Sequence, residues 1–134
     1  VSKPAPVYSV AATRPKIEAL LTALAPDAAP ADVGRFAVAL AWRCRLASVA
    51  DPAAQQTDRS KHPHRQARMV AEGCANAYQG LTGRRPTVST SARAGEEGRA
   101  YGAFLDLVRD VFAELQIEAK PERFARDAAA ARRP

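Results

Sequence analysis

The stretch Tyr101-Gly-Ala-Phe-Leu-Asp-Leu-Val-Arg-Asp-Val-Phe-Ala-Glu-Leu-Gln-Ile117 decides the fold class. Phe104, Leu107, Val108, Val111, Phe112 and Leu115 recur at intervals of three and four, the period of an α-helix with one apolar face. The spacing predicts a helix over 101–117 with the widest apolar face in the chain.

Outward from this segment the same period returns. Pro121 opens a last helix whose one large apolar anchor is Phe124, and residues 127–134 have nothing large to bury and are expected to fray. Upstream, Pro63 opens a helix over 63–82 with the stripe Ala67, Val70, Ala71, Cys74, Tyr78 and Leu81, and Gly83 suits its C-terminal cap. A helix over Pro30–Val49 is apolar on two sides, with Val33, Phe36, Ala37, Leu40, Cys44 and Ala47 on one and Val38, Trp42, Leu46 and Val49 on the other. Such a helix is central in its fold or lends one side to a partner. Ile17, Leu20, Leu21 and Leu24 mark a first helix over Pro15–Leu24. Strand patterns are weak throughout.

The expectation is an all-α, compact bundle of four to five helices. Residues 1–12 form an extended arm, 13–126 a single helical domain and 127–134 a frayed tail. Two long polar loops fall at 51–63 and 84–100. The second is long for a connection inside a compact domain, and it reads as a functional loop, a short hairpin or disorder.

Composition agrees with a modest core. Of 134 residues 31 are Ala, and Leu, Ile, Val and Phe together number 25, close to the boundary where disorder competes with folding. No stretch reaches the length of a membrane span, so no membrane partner is expected. Two cysteines do not make a disulfide scaffold. With no apolar signal segment at the N-terminus, the expected location is the cytoplasm. The net charge is +6, from 16 Arg and 4 Lys against 14 acids. That balance permits binding to nucleic acid, to an acidic membrane surface or to an acidic protein. Arg in place of Lys follows as readily from GC-rich coding as from phosphate recognition.

Arg59, Lys61, His62, His64, Arg65 and Arg68 precede and open the third helix. Cations there oppose the helix dipole by about 0.3–1 kcal/mol each, and a bound phosphate would offset this. A solvated, screened loop is the plainer reading. Arg84, Arg85 and Arg93 extend the basic surface. Two histidines do not close a zinc site, and Cys44 and Cys74 map to core stripes as small hydrophobes. No metal, cofactor or catalytic residue is expected. Asp106, Asp110, Glu114 and Glu118 form an acidic row at four-residue intervals, to be relieved by Arg65 and Arg68, by Arg123 and Arg126, or by a basic partner. Trp42, between Arg35 and Arg45, is either an interface anchor or a core residue.

The run Tyr78-Gln-Gly-Leu-Thr-Gly-Arg-Arg-Pro-Thr87, followed after a variable loop by Tyr101-Gly-Ala-Phe-Leu-Asp-Leu-Val-Arg-Asp-Val-Phe112, resembles small uncharacterised helical bacterial proteins carried on mobile elements. The resemblance spans residues 65–117 at most and transfers no functional residue. It implies an accessory role.

Two functions follow as expectations. In the first, a non-enzymatic protein binds an acidic partner protein as adaptor, regulator or inhibitor, through Arg35, Trp42 and Arg45 of the second helix or through the basic loop. A homodimer is a further use of that face. In the second, Arg59, Lys61, His64, Arg65, Arg68, Arg84, Arg85 and Arg93 contact the phosphates of DNA or RNA.

Overall fold

The structure, a computed structural model, describes residues 9–49, 62–91 and 99–132. These form helices α1 (Val10–Leu24), α2 (Pro30–Val49), α3 (His62–Thr82), α4 (Ala103–Glu114) and α5 (Pro121–Ala130). Two-residue strands β1 (Ser89–Thr90) and β2 (Ala100–Tyr101) pair between α3 and α4. The fold is all-α. Among the described residues no helix is long and apolar enough to cross a membrane.

The helices pack in a closed cycle. α1 lies against α2, α2 against α3, α3 against α4, and α4 back against α1, while α5 covers α3 and α4. The large side chains expected from the periodicity fill the interior: Ile17 and Leu21 of α1, Leu40 of α2, Val70 of α3, and Phe104, Val108, Val111 and Phe112 of α4. Tyr78 meets Phe104 edge-on, with ring centroids 5.6 Å apart. Phe124 anchors α5 against Phe112 at 6.3 Å.

The α2–α3 contact explains much of the alanine. Ala37, Ala41, Cys44 and Ala47 of α2 and Ala67, Ala71, Cys74, Ala75 and Ala77 of α3 are all buried. Gly80 lies under the Phe36 ring, Gly73 against Leu40 and Arg43, and the Arg43 Nε–H donates to the Met69 carbonyl at 3.0 Å. As numbering rises along α2 the partner number falls along α3, so the two helices run antiparallel. A half-exposed ion pair, Arg43 to Glu72 at 2.8 Å, ties the same seam. Small side chains let backbones approach closely, which adds dispersion contacts in place of bulk.

Several boundaries differ from the sequence expectation. α1 begins at Val10, so part of the expected arm is helical, and Pro15 stands inside the helix. Its ring removes one donor from the helical ladder near the N-terminal end, where Ala11, Ala12 and Pro15 are exposed and water can serve the backbone. α3 packs against α2, α4 and α5, and α4 against α1, α3 and α5, while α2 packs against α1 and α3; of the two readings of α2, central or lending one side outward, the second fits. The expected frayed tail is helical as far as Ala130, with Ala128 and Ala129 buried. Small side chains are enough to seat α5 there, and Arg132 Nη1 donates to Gln79 Oε1 at 2.6 Å.

The described ends of the segment after α3 pair as two short antiparallel strands, as in the hairpin that was one of three forms expected for it; residues 92–98 lie outside the described residues. Ser89 faces Tyr101, Thr90 faces Ala100, and the Ser91 N–H donates to the Arg99 carbonyl at 2.8 Å. Gly83 closes α3 at φ +70°, a left-handed cap. Gly102, at φ +133°, starts α4 from a backbone conformation that side chains disfavour. At the other end of α4, Gln116 takes φ +55°, its N–H donates to the Ala113 carbonyl, and the Ile117 N–H donates to the Phe112 carbonyl. This is a Schellman stop, and it ends the helix three residues before Ile117, where the sequence placed its end.

Candidate partner-binding surface

α2 carries its functional candidates on the side turned away from the core. At about 100° per residue, Arg35, Val38, Trp42, Arg45 and Leu46 fall within about 60° of the Trp42 direction. The buried set Val33, Ala37, Leu40, Cys44 and Ala47 lies on the opposite side. Both neighbours, α1 and α3, pack against that buried side. Trp42 is therefore 51% exposed and Leu46, one turn on, 54% exposed. Of the two readings of Trp42, the core reading is overturned: among the described residues the helix is covered on one side only.

The arginines frame this apolar pair. Arg35 is exposed, reaches Asp32 at 3.4 Å and lies over the Phe36 ring at 5.1 Å, which holds it at one end of the stripe. Arg45 is half-buried, and its carbonyl accepts the Ser48 hydroxyl at 2.7 Å. The arrangement is a flat apolar patch with cationic borders, suited to contact with a surface rather than to chemistry on a small substrate.

The second set of candidates is scattered. Arg65 and Arg68 are exposed in the first two turns of α3, and Arg84 and Arg85 are exposed just beyond its far end. From Arg68 to Thr82 the helix axis runs about 21 Å. Arg84 and Arg85 sit where cations favour the helix dipole, so their position has an ordinary electrostatic cause. The two basic pairs thus stand at opposite ends of one helix. Arg59, Lys61 and Arg93, and the side chain of His64, lie outside the described residues.

The cysteines are buried and unbridged on the α2–α3 seam. Burial pushes the Cys44 thiol up to about 12. Burial also pushes Cys74 well above its ordinary value, and the nearby Cys44 adds to the effect. Neutral buried thiols are poor nucleophiles and poor metal ligands. Among the described residues no three His, Cys, Asp or Glu side chains gather as a metal site.

Two of the four acids in the row, Asp106 and Glu114, are paired from within the chain, and their described partners are not the arginines the sequence suggested. Lys16 of α1 reaches Glu114 at 3.5 Å. Arg109, three residues after Asp106, contacts it at 3.4 Å and also reaches Glu122 at 3.3 Å. Hydrogen bonding at the start of α5, aided by Arg109, lowers the Glu122 carboxyl below its ordinary value. Periodicity cannot reveal Lys16, which comes from a distant helix, whereas Arg109 stands at i+3 from Asp106, a pairing that helical spacing does allow to be read.

No protein-family model, curated protein or solved structure matches this chain.

Proposed function

We propose that this is a non-enzymatic accessory protein that binds a partner protein with an acidic surface, as adaptor, regulator or inhibitor. The observation that carries the reading is the exposure of Trp42 and Leu46, one turn apart on the outer face of α2, between Arg35 and Arg45. Aromatic and Arg side chains dominate interface energetics because they bury large areas and pair charges at the same time. A net charge of +6 favours an acidic partner and speeds encounter with it.

Trp42 is the only tryptophan, so its fluorescence reports directly on the face. Binding of the partner recovered from the source cell should shift its emission to the blue. Trp42→Ala should abolish capture while circular dichroism and melting stay unchanged. Capture that survives Trp42→Ala with the fold intact overturns the proposed face. Binding to nucleic acid, the competing reading, would weaken steeply with salt in a gel-shift titration. The separation of Arg65 and Arg68 from Arg84 and Arg85 favours the protein partner.

A further inference from the structure

A second surface lies apart from the α2 face, in the groove between α1 and α4. Its α1 edge is Leu20, Ala23 and Leu24, and its α4 edge is Ala103, Asp106, Leu107 and Asp110. Both edges follow the three-and-four spacing, so each presents one straight row of side chains along its helix. The groove holds a cavity of about 280 Å³. An adjoining cavity of about 440 Å³ shares Leu24 and Ala103 and continues the trough to Tyr78, Leu81 and Arg84. Leu20, Leu24, Tyr78 and Leu81 are half-buried against the core and leave their outer sides to the trough.

The charge on this groove runs against the charge of the molecule. The chain is +6, yet the charged side chains lining the α1–α4 cavity are the carboxylates Asp106 and Asp110. They stand one helical turn apart on the same edge. Lys16, the α1 cation that reaches α4, is engaged one turn further on with Glu114. Arg109 divides its guanidinium between Asp106 and Glu122, both at more than 3.2 Å. Among the described residues Asp110 makes no ion pair. An apolar floor with carboxylates one turn apart on one wall is complementary to a helix with apolar residues at i, i+3 and i+4 and, on the row beside them, Lys or Arg one turn apart.

We infer that the α1–α4 groove docks a basic amphipathic helix of a partner protein, its leucine-like side chains on Leu20, Ala23 and Leu24 and two of its cations on Asp106 and Asp110. The chain then carries two faces of opposite character. The α2 face is apolar with cationic borders, and the α1–α4 groove is apolar with an anionic wall. They share no residue, and this inference does not depend on the reading of Trp42.

The test uses a labelled synthetic helix of about 18 residues, some 27 Å long, with Leu at the i, i+3, i+4, i+7 positions and Lys elsewhere. Fluorescence polarisation should show saturable binding to the full chain. In the Trp42→Ala chain, whose α2 face is removed, the same helix with Glu in place of Lys should not bind. Asp106→Lys with Asp110→Lys should weaken binding at least about tenfold, a change of about 1.4 kcal/mol. Asp32→Lys with Asp127→Lys makes the same change in net charge at exposed sites away from the groove, and Trp42→Ala alters the other face. Both should bind like the unaltered chain. Circular dichroism verifies that each variant is folded. Absence of saturable binding, equal binding of the Glu helix, or equal weakening by the Asp32 and Asp127 pair overturns the inference. Self-association that the Asp106 and Asp110 pair abolishes gives the groove to a second copy and overturns it as well.

Discussion

The Phe36 ring occupies the place where Gly80 would carry a Cβ. This contact sets how closely α2 and α3 approach near the C-terminal end of α3. Gly80→Ala gains helix propensity of about 1 kcal/mol. It also forces the ring aside, and overpacking of that kind costs about 1–3 kcal/mol. The expected outcome is a net loss of stability in urea denaturation. In a Phe36→Ala background the clash is gone, so the same Gly80→Ala change should stabilise. That reversal of sign, read in a double-mutant cycle, checks the contact.

Gln116 ends α4 in the left-handed region at φ +55°. A side chain there costs about 1 kcal/mol relative to Gly. Gln116→Gly should therefore raise the unfolding free energy by about 1 kcal/mol despite the added freedom of the unfolded chain. Unchanged or lower stability would argue against the Schellman stop.

Trp42 and Leu105 make a matched pair for testing the architecture, the first half exposed and the second fully buried on α4. Trp42→Ala should change stability by less than about 1 kcal/mol. Leu105→Ala should lose about 2–5 kcal/mol through lost burial and a cavity. Equal losses would place Trp42 in the core. Denaturant titration of both variants, followed by circular dichroism, gives the comparison.

The thiols predict both reactivity and alkaline stability. Cys44 and Cys74 should resist a disulfide reagent at neutral pH and react fully once the protein is unfolded. The folded Cys44 thiol loses its proton near 12, against an ordinary value of 9.0. The unfolded chain therefore releases this proton first. The contribution is complete below pH 9, and it falls as pH rises from there toward about 12, by up to about 1.4 kcal/mol per pH unit. Cys44→Ala should flatten the alkaline limb of the stability profile. An unchanged limb would show that the thiol is solvated.

Much of this architecture is legible in residue spacing. The apolar rows of α1 to α4 lie where period 3.6 puts them, because a helix that buries one face must repeat its large side chains at that period. The two-sided pattern of α2 was also visible, with Val33, Ala37, Leu40 and Cys44 on one side and Trp42 and Leu46 on the other, though not which side faces solvent. Helix ends were less legible. Val10 extends α1 past a proline, and Ala128 and Ala129 seat α5, because alanine carries little hydrophobic signal and yet packs well between close helices. On α3 the stripe Ala67, Ala71 and Cys74 was legible, whereas the buried Gly73, Ala75 and Ala77 beside it carry too little hydrophobic signal to show how widely the helix is covered.

The sequence by itself determined that the chain is all-α, which faces are apolar, and that its charge is basic with an acidic row on α4. Those properties follow from local geometry and composition. Only the tertiary structure decided that Trp42 faces outward, that Arg65 and Arg68 stand far from Arg84 and Arg85, and that Asp106 and Asp110 line a groove opened by Leu20 and Leu24. Each depends on which helices meet and how closely they approach. Close approach is set by small residues and long-range contacts such as Phe36 on Gly80, and no periodicity within one helix records them.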